Sequence, residues 1–202
     1  MGGMARLPQA VRRLRVVVAP CRSFSDGPDK PKRPKLVVFD LGGVVLQSPI
    51  PAITKFEAES GVPAGSIFSA AKKMGDGGAF PRLERGELTL EDFIPEFRKE
   101  ISEAGVVLKR DVADMFLAME AGFAPPRPEM LLAIQSLKAE GIRTAALTNN
   151  WKRNNGATLP PSLASTMKLF DVVVESALVG LRKPVYQFHQ RFHRKYHRML
   201  YK

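Results

Sequence analysis

Three short stretches are apolar at nearly every position. Leu36-Val37-Val38-Phe39 is the first, Thr144-Ala145-Ala146-Leu147 the second and Asp171-Val172-Val173-Val174 the third. An unbroken run of this length predicts a strand buried on both faces, and hence a parallel sheet. Between the first two runs the period changes to that of a helix. Ala52, Ile53 and Phe56 share one face, and Ile67, Ala70 and Ala71 follow after Gly65. Thr89-Leu90-Glu91-Asp92 opens a helix that carries Phe93, Phe97 and Ile101, with the threonine as its cap. Val112, Phe116 and Met119 form another stripe. Pro128 suits the first position of a helix and Gly141 its end, with Met130, Ile134 and Leu137 facing one way between them. A polar loop at 151–160 and a short helix at 161–169 precede the third strand. The order is strand, helical insert, helix, strand, helix, strand. It predicts an α/β fold with right-handed crossovers and helices inserted after the first strand.

Charge sharpens this picture by its placement. The formal net charge is +11 over 202 residues. Residues 1–24 carry five arginines and no acid, and residues 182–202 carry seven basic residues and no acid. The stretch 25–181 holds 19 basic and 20 acidic residues, so its net charge is −1. No specific nucleic-acid surface is expected on so plain a body. No apolar run reaches the roughly 18 residues of a membrane span. Cys21 is the single cysteine, and His189, His193 and His197 are the only histidines. That excludes a disulfide scaffold, and it excludes a Ser-His-Asp or Cys-His site between 23 and 188. Chemistry in the body falls to carboxylates, hydroxyls, lysine or an oxygen-held metal.

The two ends read differently. On a helix, Leu7, Val11, Leu14 and Val18 fall on one face beside Arg6, Arg12 and Arg13. Residues 1–24 therefore have the composition of a mitochondrial transit peptide, and matrix localisation is expected. A plain basic arm has the same charge. Arg22-Ser23-Phe24-Ser25 resembles a matrix-processing site. Residues 25–35 read as a basic linker, and its Lys30–Lys35 run also fits a nuclear-localisation signal. Residues 185–202 are a His- and Tyr-rich basic tail, expected to pack poorly on the body. Its readings are a solvated tail, a histidine stripe for a metal, and a basic amphipathic face for an acidic surface.

In an open parallel sheet, reactive groups collect beyond the carboxyl ends of the strands. Here those ends deliver Asp40, Thr148 and, a little further on, Lys183. A carboxylate that attacks phosphorus, a hydroxyl that holds a phosphoryl oxygen and an ammonium that offsets charge suit phosphoryl transfer. Phe39-Asp40-Leu41-Gly42-Gly43-Val44-Val45, Leu147-Thr148-Asn149-Asn150 and Val179-Gly180-Leu181-Arg182-Lys183-Pro184 resemble three motifs of the haloacid dehalogenase (HAD)-like hydrolase superfamily. Arg82-Leu83-Glu84-Arg85-Gly86-Glu87 and the asparagine pair resemble the subgroup whose HAD domain begins a larger enzyme. The resemblance covers about 36–184. It implies a partial Rossmann-like parallel sheet with a helical cap at about 50–125. It also implies Asp40 and Lys183 as catalytic residues, and Thr148 and Asn149 as substrate-binding residues. Magnesium is implied on Asp40 and the Gly42 backbone carbonyl, and the substrate is a small phosphorylated molecule.

Two departures from the family pattern shape the expected activity. Gly42 stands where the family's phosphatases carry a second aspartate as general acid and base. No Asp or Glu follows Glu175, whereas the family holds magnesium with further aspartates at the end of a fourth strand. The expectation is a C-terminally shortened HAD domain whose ancestral magnesium-dependent phosphatase chemistry, through an aspartyl-phosphate, is impaired and whose metal site is weak. The alternative is a catalytically silent chain that binds a ligand or partner, or a non-functional product of a variant transcript. In either case Leu36–Phe39 is expected at an edge of the sheet.

Overall fold

A computed structural model of the chain describes residues 33–123, 125–188, 190 and 192. The transit-peptide reading of 1–24, most of the 25–35 linker and the histidine stripe lie outside them. The three apolar runs form strands β1 (Leu36–Phe39), β2 (Arg143–Thr148) and β3 (Val172–Glu175). They make one parallel sheet in the order β1-β2-β3. Phe39 lies opposite Ala146, and Thr148 opposite Glu175. From Thr144 onward every residue of the central strand is buried.

Each face of the sheet has its own cover. On one side Val37, Phe39 and Ala146 pack with Met130 and Ile134, and with Leu163 and Phe170. Met130 and Ile134 come from the helix Pro128–Ala139, which ends, as its sequence predicts, at a glycine with positive φ, Gly141. On the other side Ala145, Leu147 and Val174 pack with Phe188 and Phe192. Two expectations are corrected here. The chain beyond Val185 does not simply pack poorly, because both phenylalanines are buried in the sheet's second face. Residues 186–188 are helical, and a spacing of four puts two helical side chains on one side. Nor is β1 buried on both faces. Val37 and Phe39 are buried, but Val38 is 43% exposed, because the second cover centres on β2 and β3 and reaches the edge strand at Leu36, not at Val38.

Between β1 and that covering helix run α1 (Ile50–Glu59), α2 (Ser66–Lys73), α3 (Ala79–Glu84), α4 (Leu90–Glu103) and α5 (Val112–Gly122). Thr89 caps α4 through Asp92 N–H, and Asp111 caps α5 through Ala113 N–H. The predicted stripes face inward around Phe56, Phe93, Phe97, Ile101 and Phe116. Phe93 stacks on Phe97 with centroids 4.6 Å apart and meets Phe116 edge-on at 5.2 Å. Offset and edge-on pairs of this kind add roughly 0.5–1.5 kcal/mol beyond their burial. Glu57 is buried here as well. Its carboxylate accepts from Gly65 N–H and Ile67 N–H at 2.7 and 2.9 Å, which satisfies the orphan donors at the start of α2.

The loop after β2 ties these helices to the sheet. Trp151 meets Phe116 edge-on at 5.3 Å and donates to Glu120. Leu90 N–H donates to the Lys152 carbonyl at 2.7 Å, and Asn154 N–H to Glu91 at 2.9 Å. The helix over the sheet is α6, followed by α7 (Ala164–Met167) and, after β3, by α8 (Ser176–Val179). Among the described residues no helix is long and apolar enough to cross a membrane.

Candidate active site

Asp40 is the first residue beyond β1, and the register sets it level with Leu147 of β2. The chain turns sharply after it over Leu41–Val45, where Gly43 takes φ +78. Asp40 caps this turn, since its Oδ1 accepts from Leu41 N–H at 2.7 Å. Oδ1 also meets the Lys183 ammonium at 2.6 Å. Oδ2 has no protein partner among the described residues, and the side chain is 43% exposed. One oxygen is thus held by a cation and a backbone donor, and the other by no protein group among the described residues.

Lys183 reaches Asp40 from the far side of β2. It follows α8, which closes at Gly180 with φ +70. Its Nζ donates to the Leu147 carbonyl at 3.1 Å as well. Asn149 fixes its backbone from both sides. The Asn149 Oδ1 accepts from Lys183 N–H at 2.9 Å, and its Nδ2 donates to the Lys183 carbonyl at 3.2 Å. The Asn149 amide is therefore engaged in holding Lys183. Thr148 ends β2, buried, with its hydroxyl donating to the Asn149 carbonyl at 3.2 Å. Asp40, Thr148, Asn149 and Lys183, separated by up to 143 positions, meet at the carboxyl ends of adjacent parallel strands.

Three further residues support the site, of which Glu84 and Asn150 fall in segments that carry the family resemblance and Ser176 does not. Asn150 N–H donates to Ser176 Oγ at 2.9 Å, and both residues are buried, which pins the end of β2 to the start of α8. Glu84, at the end of α3, receives the Arg182 Nε–H at 2.5 Å. Burial pushes the Glu84 carboxyl above its ordinary range, against the pull of Arg182, Asn149 and Lys183. Arg182 also lines a cavity of about 290 Å³ among the helices, walled by Ile53, Phe68, Phe80, Phe97 and Met115.

Magnesium prefers six oxygen ligands. The Asp40 carboxylate and the Gly42 carbonyl are oxygens of the right kind. Among the described residues, however, no group of three or more acidic, histidine or cysteine side chains gathers to hold a metal.

Comparison with known proteins agrees with this geometry. Residues 34–197 match the family model of haloacid dehalogenase-like hydrolases, so the likeness runs on past Pro184. The chain is 36% identical over 150 residues to acyl-CoA dehydrogenase family member 10 of Mus musculus, covering 74% of this chain and 14% of that protein. It is 30% identical over 174 residues to bifunctional epoxide hydrolase 2 of Sus scrofa, covering 77% of this chain and 30% of that one. It thus spans less than a third of either relative. Two solved structures share the fold. An HAD-like family hydrolase of Porphyromonas gingivalis superposes with a TM-score of 0.51 at 24% identity, over 80% of this chain and 76% of that one. An HAD family enzyme of Bacteroides thetaiotaomicron, solved as a magnesium complex, does so at 0.52 and 18% identity, over 80% and 77%.

Proposed function

The chain belongs to the haloacid dehalogenase-like hydrolase family, and from that premise we propose that its crevice accepts small phosphate monoesters and transfers their phosphoryl group to Asp40. The observation that carries this reading is the asymmetric environment of the Asp40 carboxylate. Lys183 and Leu41 N–H hold Oδ1, while Oδ2 has no protein partner among the described residues on a side chain that is 43% exposed. Oδ2 attacks phosphorus, the ester P–O bond breaks, and its electron pair leaves with the alkoxide or phenolate. Water then attacks the aspartyl-phosphate, releases phosphate and restores the carboxylate. Lys183 offsets negative charge that builds up between nucleophile and phosphoryl group. Thr148 holds a phosphoryl oxygen once its hydroxyl turns from the Asn149 carbonyl. Asn149 keeps the lysine in place.

Magnesium is included through the Asp40 carboxylate and the Gly42 carbonyl, where weak binding is expected. A bound magnesium ion supplies charge neutralisation on phosphoryl oxygens, worth several kcal/mol in other enzymes. The cavity beside Arg182 has room for the organic part of an ester.

Turnover is impaired in this reading, because Gly42 brings no carboxyl to protonate a leaving group. Loss of a general acid costs about 10²–10⁴ in rate. The defect falls on alkyl esters, whose alkoxide needs a proton. An aryl ester, whose phenolate departs without one, is largely spared. The expected result with magnesium is slow turnover of an aryl phosphate, abolished in Asp40→Asn, and far slower turnover of an alkyl phosphate. No Asp40-dependent turnover of either ester by a folded chain defeats the proposal. The silent ligand- or partner-binding reading would then stand.

A further inference from the structure

The chemistry at Asp40 leaves the Arg82–Glu87 segment without a task, yet it contacts both Arg182 and the Ala177 carbonyl beside the site. Glu84 ends α3, and its side chain is only 12% exposed. Its carboxylate accepts from Arg182 at 2.5 Å, across 98 positions of sequence. Arg182 is the chain neighbour of Lys183. Two residues beyond Glu84, Gly86 has φ +69, and a Cβ there would lie 2.1 Å from the Ala177 carbonyl oxygen of α8. Backbone therefore rests directly on backbone, and α3 is seated against the segment that leads to Lys183. A second acid, Asp76, lies 3.9 Å from Arg182, but it is 76% exposed and holds the guanidinium loosely. Removing Glu84 leaves Arg182 largely buried without a close counter-charge. Single-sided loss of a buried pair is the costly kind.

We propose that Glu84 is a positioning residue: through Arg182 it fixes the Lys183 segment, so that the ammonium sits on Asp40 only while α3 is seated over the strand ends. The ordering runs from Glu84 to Arg182, then along the backbone to Lys183, which Asn149 brackets from the other side. Glu84 touches neither Asp40 nor the reacting atoms. Its influence on turnover rests on the phosphoryl-transfer reading, but its influence on Lys183 is measurable without any turnover.

The test compares the full chain with Glu84→Gln, Arg182→Gln and the double variant. Lys183 is labelled with trace acetic anhydride and quantified by mass spectrometry, with the exposed Lys99 as internal standard. An ammonium released from Asp40 acetylates faster. The expected result is Lys183 labelling several-fold faster in each single variant, and no faster still in the double variant, because both substitutions cut the same link. Lys183 labelling at the rate of the unaltered chain overturns the proposal, and so do independent, multiplying effects of the two substitutions. If Glu84→Gln fails to fold by circular dichroism, Arg182→Gln carries the test, and unchanged labelling in it overturns the proposal equally. Aryl phosphate kinetics add a second readout. A displaced lysine lowers kcat roughly tenfold or more while KM moves less, since the lysine acts on charge that develops in the transition state. Altered labelling in a chain without turnover counts against phosphoryl transfer and upholds Glu84. Turnover with unaltered labelling does the reverse.

Discussion

In the proposed phosphoryl transfer Gly42 is the residue that limits turnover, and its surroundings leave room for a carboxylate. Its φ of −63 and ψ of 120 are open to any side chain. A Cβ there meets only Pro49 Cδ, at 4.0 Å, an ordinary contact. Gly43, at φ +78, has no such freedom. Gly42→Asp is therefore expected to fold, and to raise alkyl phosphate turnover by about 10²–10⁴-fold in steady-state assays. Aryl phosphate turnover should rise much less. Equal gains for both esters would show that leaving-group protonation is not the missing step. At this scale the sequence was informative wherever a residue ends a strand. Asp40 and Thr148 could be read because apolar runs stop at them. Lys183 lies further past its strand, where its family motif singled it out. Glu84 and Asn150 stood in the quoted motifs but their pairings did not show there, and Ser176 had no marker, because these contacts span 26 or more positions.

At the scale of elements, legibility followed length and pattern. The helices α4, α5 and α6 have 14, 11 and 12 residues and stripes that repeat, and they formed where expected. The short α3 and α8, of six and four residues, went unseen. Such short segments are marginal alone and take their stability from what they pack on. Their mutual seating is testable. Gly86→Ala brings a methyl into the Ala177 carbonyl and forces an alanine to positive φ. It is expected to lower stability by about 1–3 kcal/mol, read as a lower urea midpoint. An unchanged midpoint would mean that α3 does not rest on α8. The edge strand shows the opposite failure. Leu36-Val37-Val38-Phe39 read as buried on both faces because its sequence is uniformly apolar. Burial, however, depends on where the covering side chains stop, and Val38 is left bare. An apolar edge of this kind favours association with other chains.

For the whole molecule, basic charge is concentrated at the two ends, around a body of net charge −1. The N-terminal excess is expected to act as an address. Residues 1–30 fused to a fluorescent reporter should enter mitochondria, and replacing Arg6, Arg12, Arg13, Arg15 and Arg22 with glutamine should stop import. Accumulation of the intact fusion in the cytosol or nucleus would refute this. The C-terminal excess is less separate than its composition suggests, since the stretch that carries it also delivers Phe188 and Phe192 to the sheet. Between the sheet and its helical layer stands Trp151, the chain's sole tryptophan. Its indole meets the helical core edge-on at Phe116, and its N–H is held by Glu120. All indole emission thus originates at the seam between the two layers. The colour of that light is a built-in gauge of how wet the seam is: blue while the helices sit down on the strand ends, and redder whenever water gets between them.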